Sequence, residues 1–141
     1  MKIEHINLVL CELEPTIAFL QTAFPHWRIR GTGRSDWYGK PRTWLHFGDD
    51  DTYIALSDNG TGEGRDLKAH KPGLAHIGLV IDDLEGLVAR FSAKGILPSV
   101  ALTSIPARKN VYYECPAGIE WEFVQYGSDI PKIRNHYDTA S

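Results

Sequence analysis

His5 and His76 occupy matching places in two copies of one pattern. Ile3-Glu4-His5-Ile6-Asn7-Leu8-Val9-Leu10 is answered 71 positions later by Leu74-Ala75-His76-Ile77-Gly78-Leu79-Val80-Ile81. At that offset Ile6 meets Ile77, Leu8 meets Leu79 and Val9 meets Val80, and the match runs on through Leu13 on Leu84, Glu14 on Glu85 and Ala18 on Ala89. A hydrophobic strand carrying one histidine, repeated with the helix that follows it, predicts two like modules whose imidazoles point at one shared place. Towards the other end, Glu120-Trp121-Glu122-Phe123-Val124 puts two carboxylates on a single strand face. Burying a carboxylate is costly unless a compensating charge meets it.

The elements that must hold these groups follow from periodicity. Residues 3–10 read as a strand with His5, Asn7 and Val9 on one face. Glu14-Pro15 opens a helix, Ile17, Leu20 and Phe24 give it a buried stripe, and Pro25 closes it. Residues 27–30 form a short strand, and 31–41 a glycine-rich loop with Trp37 and Tyr38, a candidate flap over a site. Residues 43–48 alternate, with Trp44 and His46 on one face and Leu45 and Phe47 on the other. Asp49-Asp50-Asp51 reads as a turn rather than a calcium loop, since no glycine falls at the required spacing. Residues 52–57 complete the first module, 1–58, and a polar linker, 59–73, follows.

The second module, 74–126, repeats the order. Its strand 74–81 ends at Asp82, read as a helix cap with Glu85 three residues on. Leu84, Leu87, Val88 and Phe91 form the helix stripe, and Gly95 sits where a helix-ending glycine belongs. Residues 99–102 are expected as a strand, 103–110 as a loop, and 111–114 with 119–126 as a hairpin around Cys115-Pro116-Ala117-Gly118. Residues 127–141 read as a tail.

Composition narrows the partners. The 141 residues suit one domain, with 43% hydrophobic and 23% charged residues, as in ordinary globular proteins. A net charge of −3 with scattered Lys and Arg argues against nucleic acid, which wants a clustered basic surface. Cys11 and Cys115 form no CxxC pair and read as small apolar residues. No apolar run approaches 18 residues and the N-terminus is interrupted by Glu4 and His5, so the expectation is a cytoplasmic protein with no membrane association.

Over residues 1–126 the sequence resembles the vicinal oxygen chelate superfamily, which includes glyoxalase I, type I extradiol dioxygenases, fosfomycin-resistance proteins and bleomycin-binding proteins. The resemblance implies an α+β fold of two βαβββ modules pairing into a cup-shaped, partly open mixed sheet. It also implies a homodimer and a small-molecule substrate. The family's metal ligands come from the first strand of each module and the last strand of the second, here His5, His76 and Glu122. Glu122 is preferred to Glu120 because the family's closing motif Pro-x-Gly-x-x-x-Glu matches Pro116, Gly118 and Glu122. Glyoxalase I-like proteins have a fourth ligand, usually Glu, in the last strand of the first module, and Ala55 stands at that place.

Two histidines and one carboxylate with open positions suit Fe(II) and oxygen chemistry, with Mn(II), Ni(II) or Zn(II) as alternatives. Extradiol dioxygenases place a tyrosine ten residues before the ligand Glu, and Tyr112 has that spacing. Their acid–base histidine has no match here; His46 is the substitute and His70 a weaker one. Trp44 and Trp121 are expected to wall the substrate. The implied function is a metal-dependent, extradiol-dioxygenase-like enzyme acting on vicinal oxygens. A glyoxalase-type isomerase or lyase, or a fosfomycin-resistance-type thiol transferase, is the alternative. A metal-free antibiotic-binding protein is a further one, against which the ligand triad counts.

Overall fold

The structure, a computed structural model, describes residues 1–137. Its elements run β1 (His5–Val9), α1 (Glu14–Ala23), β2 (Arg28–Trp37), β3 (Lys40–Gly48), β4 (Tyr53–Ser57), β5 (His76–Val80), α2 (Leu84–Ala93), β6 (Val100–Ile105), β7 (Arg108–Glu114), β8 (Glu120–Tyr126) and α3 (Pro131–Arg134). The chain divides into two compact units, 1–65 with 115–118, and the rest. Each unit carries one βαβββ module with an open mixed sheet, in the order β1-β4-β3-β2 in the first and β5-β8-β7-β6 in the second. In both, the first strand pairs in parallel with the last and the remaining pairs are antiparallel. This is the α+β class expected.

One face of each sheet is covered by its helix. In the first unit Leu8, Leu45, Phe47, Ile54 and Leu56 are buried with Phe19, Leu20 and Ala23 of α1. The α1 stripe is rotated from the expected one: Thr16 is fully buried while Ile17 stays half-buried. In the second unit Ile77, Val111, Tyr113, Trp121 and Phe123 are buried with Leu84, Leu87 and Phe91 of α2. Phe91 stacks on Tyr113 with ring centres 4.3 Å apart.

Two expected loops are strands instead. Residues 31–41 form the hairpin of β2 and β3, closed by Tyr38-Gly39 between the paired Trp37 and Lys40. Both turn residues have positive φ (50° and 83°), the backbone twist that suits a two-residue hairpin. Asp36 Oδ1 accepts the Gly39 N–H at 2.9 Å. The expected flap is therefore ladder-bonded. Likewise β6 and β7 run through most of 103–110, turning at Pro106-Ala107 between the paired Ile105 and Arg108. In the tail, α3 occupies Pro131–Arg134, and 138–141 fall outside the described residues.

The cap of α2 is Asp83 and not Asp82; its carboxylate accepts the Gly86 N–H at 2.9 Å. Glu85, assigned to a capping box, instead meets Lys109 Nζ at 3.1 Å. Asp83→Ala is expected to cost about 1 kcal/mol, the usual worth of an N-cap. Asp82→Ala should change the thermal midpoint little, and equal losses from the two would contradict the assignment.

The Asp49-Asp50-Asp51 turn is held by its first carboxylate. Asp49 Oδ1 accepts from the Asp51 and Thr52 N–H groups, both at 3.0 Å, and Oδ2 accepts from Trp27 Nε1 at 3.2 Å. Burial acts to raise the Asp49 pKa, but these donors and His26 outweigh it and hold the carboxyl below the usual range. A carboxyl depressed on folding stabilises above its unfolded pKa, and that contribution is lost as pH falls through the folded value. Asp49→Ala should therefore cost about 1–3 kcal/mol at neutral pH, as for donors left without an acceptor. In denaturant titrations its deficit against the wild type should shrink as pH drops below the ordinary carboxylate range.

Candidate functional site

The face of each sheet away from its helix carries the polar groups. In the first unit the registers align His5 with Tyr53 and His46 with Ala55 on that face. Tyr53 stacks against both histidines, its ring centre 4.9 Å from His5 and 4.5 Å from His46. Arg30 lies over the Tyr53 ring at 4.5 Å. Trp44 adjoins His46 at 5.2 Å and rests on Gly33, where a Cβ would come within 2.7 Å of the indole. Glycine at 33 is what lets that indole lie across the strand.

His5 Nδ1 is 2.9 Å from Glu4 Oε2 and 2.9 Å from Tyr53 Oη. The His5 hydrogen bond holds the Glu4 carboxyl below its ordinary pKa. Burial, then the charge of Glu4, pushes the Tyr53 phenol up. His46 is held below the ordinary imidazole value, chiefly by burial, with the charge of Arg30 adding to it.

In the second unit β5 and β8 align His76 with Glu120 and Gly78 with Glu122, while β7 brings Tyr112 beside Glu122. His76 Nε2 is 3.3 Å from Glu122 Oε2, and Asn110 Nδ2 donates to Glu122 Oε1 at 2.8 Å. Tyr112 sets its ring edge-on to His76, with centres 5.4 Å apart. Burial raises the Tyr112 pKa and its hydrogen bond to Glu122 adds to that, so the phenol keeps its proton. Glu120 instead accepts from Ser99 Oγ at 2.8 Å. Of the two carboxylates, Glu122 is the one gathered with histidine and tyrosine.

The registers make the modules comparable residue by residue. Ala55 pairs with Asn7 and His46 as Glu122 pairs with Gly78 and Tyr112. Ala55 thus stands in the first module where Glu122 stands in the second, and His46 stands where Tyr112 does. Among residues missed by the sequence reading, Asn110 lies two before Tyr112 on β7, a spacing that puts both on one face. Tyr53 and Glu4 beside His5 were also missed.

Trp121 does not join this group. It is 0% exposed, on the face of β8 opposite Glu122, and belongs to the core of the second unit, which corrects its assignment as a substrate wall. Trp44 is half-buried on the polar face with His46. Cys115 is buried as expected, whereas Cys11 is exposed. A cavity of about 640 Å³ within the first unit is lined by Cys11, Glu12, Thr16, Asn59 and Gly62 among others and contains none of the expected site residues.

Among the described residues no group of three or more His, Cys, Asp or Glu side chains is gathered as a metal cage. What the second unit does offer is a half-buried carboxylate, 18% exposed, with an imidazole nitrogen 3.3 Å from the oxygen that Asn110 does not hold. Those donors fit a divalent first-row metal. No helix among the described residues is long and apolar enough to cross a membrane.

The fold has many solved counterparts. A glyoxylase/bleomycin resistance protein/dioxygenase domain from Frankia sp. EAN1pec superposes with a TM-score of 0.74 at 18% identity, over 96% of this chain and 98% of that one. A glyoxalase family protein from Bacillus cereus gives 0.72 at 12% identity, over 89% and 94%. The fosfomycin resistance protein FosX from Listeria monocytogenes, complexed with Mn(II) and sulfate, gives 0.61 at 18% identity, over 91% and 93%. No curated protein sequence matches the chain. The family model of the glyoxalase/bleomycin resistance protein/dioxygenase superfamily matches residues 2–123, and the chain belongs to that superfamily.

Proposed function

We propose that the protein is a metal-dependent enzyme acting on a small substrate with two adjacent oxygens, with His5, His76 and Glu122 as its metal ligands. The observation that carries this reading is the cluster in the second unit. Glu122 is tied by Asn110, faces His76 at 3.3 Å and lies beside a protonated Tyr112 on the open face of the sheet. A bound divalent metal supplies Lewis acidity there, and Fe(II) adds electron transfer to oxygen. Fe(II), with extradiol-dioxygenase-like chemistry, is the favoured version because Ala55 supplies no fourth ligand. Mn(II), the metal in the FosX complex, is the alternative.

The chain's own residues have separable tasks. Asn110 orients the Glu122 carboxylate by donating to Oε1, which leaves Oε2 for the cation. Tyr112 remains a phenol and serves as hydrogen-bond donor to a substrate oxygen. His46, kept neutral by burial and neighbouring charge, is the group able to take a proton at neutral pH. Trp44 beside it offers an apolar wall. Small-molecule binding without a membrane or nucleic-acid partner, in a cytoplasmic homodimer, completes the reading.

The test is elemental analysis of natively purified protein, followed by oxygen uptake on catechols after Fe(II) loading. Stoichiometric metal with oxygen uptake is expected; metal-free protein that gains nothing from added Fe(II) or Mn(II) would refute the reading. Thiol or water addition to an epoxide under Mn(II), without oxygen uptake, would move the reaction to the fosfomycin-resistance class. Tyr112→Phe should lower kcat/KM by about 1.5–3 kcal/mol, the worth of one hydrogen bond to a charged partner, while metal content stays unchanged.

A further inference from the structure

His5 is supported in a way that His76 is not. Its Nδ1 lies 2.9 Å from Glu4 Oε2 and 2.9 Å from Tyr53 Oη, and Tyr53 Oη donates to Glu4 Oε1 at 3.3 Å. In that triangle the carboxylate decides where the two movable hydrogens, of imidazole and phenol, can sit. An ionised carboxylate accepts and never donates. A bare lone pair on Nδ1 would therefore confront a carboxylate lone pair at 2.9 Å, which is repulsive. With that hydrogen on Nδ1, Tyr53 cannot donate to it, so its own hydrogen goes to Glu4 Oε1 and its oxygen turns a lone pair towards the Nδ1 N–H. Glu4 demands an N–H at Nδ1, and the Tyr53 hydroxyl is free to accept beside it.

A neutral imidazole carries one such hydrogen, which leaves the lone pair on Nε2. The ring plane is fixed too, since Tyr53 stacks on His5 with an interplanar angle of 18° and is itself flanked by His46 and Arg30. We infer that Glu4 and Tyr53 are positioning residues that hold His5 with its proton on Nδ1 and present Nε2 as the free donor atom.

The repeat sharpens the point. The position aligned with His76 is Glu120 where Tyr53 aligns with His5, and the residue before His76 is Ala75 where Glu4 precedes His5. The second copy keeps the histidine but has neither of the groups that fix its tautomer. There it is Nε2 that meets a carboxylate, Glu122. The two histidines are alike in sequence and different in preparation. The inference rests on His5 being a metal ligand only for its functional consequence; the tautomer is a property of the metal-free protein.

Nitrogen-15 correlation spectra of metal-free protein at neutral pH should assign the unprotonated nitrogen of His5 to Nε2. In the double variant Glu4→Ala, Tyr53→Phe that preference should be lost. Its affinity for Mn(II), titrated calorimetrically, should fall about 10–100-fold, as when outer-shell partners of a metal-bound histidine are removed. A proton on Nε2 in the wild type, or a double variant with unchanged tautomer and unchanged Mn(II) affinity, overturns the inference. His5→Ala is titrated beside it. If that variant binds Mn(II) as tightly as wild type, the assignment of His5 as ligand fails, while the spectra still judge the tautomer. Should the double variant not fold, Glu4→Ala alone, at an exposed residue, provides the same two measurements.

Discussion

Glu122→Gln should leave a folded protein that no longer retains metal. The amide keeps the size of the side chain and an oxygen for Asn110, and it removes only the negative charge and one acceptor. Since the side chain is half-buried and hydrogen-bonded, the exchange should move the thermal midpoint little. Metal affinity should fall by more than the roughly 10–100-fold typical of outer-shell changes, because a ligand and not its support is lost. Activity should vanish with the metal. His46→Gln provides the contrast: metal content unchanged and kcat down by about 10²–10⁴, the usual contribution of a general acid or base. Elemental analysis and steady-state rates on the two variants separate the roles. A Glu122→Gln protein purified with wild-type metal would sink the ligand assignment, and a His46→Gln protein with wild-type kcat would remove His46 from the chemistry.

The parts of the site that were readable in the sequence share one property: strict alternation on a half-buried strand. Trp44 and His46 separate from Leu45 and Phe47 in both pattern and structure. The same rule already separated Trp121 from Glu122, and treating both as site residues conflicted with the period of the strand. The hairpin of β2 and β3 was hidden for the opposite reason. Gly31-Thr32-Gly33-Arg34-Ser35-Asp36 has no apolar face to alternate, and Tyr38-Gly39 replaces the Asn-Gly or Asp-Gly that usually announces such a turn. Choosing Asp83 over its neighbour Asp82 depends on backbone geometry that two adjacent aspartates do not reveal.

The equivalence of His46 and Tyr112 was concealed by length. His5 and His76 are 71 residues apart, but Ala55 and Glu122 are 67 apart and His46 and Tyr112 are 66 apart. The first module has the longer hairpin, and its extra residues break the constant offset that exposed the histidines. Strand register restores it. Tyr53 was missed because its role comes from lying beside His5 across a parallel pair, a relation between residues 48 positions apart that leaves no local signal.

Trp121→Ala is expected to be the most destabilising of the substitutions considered. The indole is wholly buried in the second unit, in register with Ile77 on one side and Tyr113 on the other. Phe91, Phe123, Leu84 and Leu87 are all fully buried in the same unit, so truncation opens a cavity among side chains already close-packed. Such a change costs about 3–5 kcal/mol. That is a large share of the roughly 5–15 kcal/mol by which a domain is stable. At about 2–4 °C per kcal/mol for a chain of this size, the thermal midpoint should drop by roughly 6–20 °C. Trp44→Ala removes an equal volume from the open face, where the indole covers Gly33 and adjoins His46, and should act mainly on KM. The pair of tryptophans thus tests the assignment of the two sheet faces: one melting curve and one Michaelis curve should move, each in a different variant. A Trp121→Ala protein that melts like the wild type but binds substrate poorly would return Trp121 to the site and place the core elsewhere.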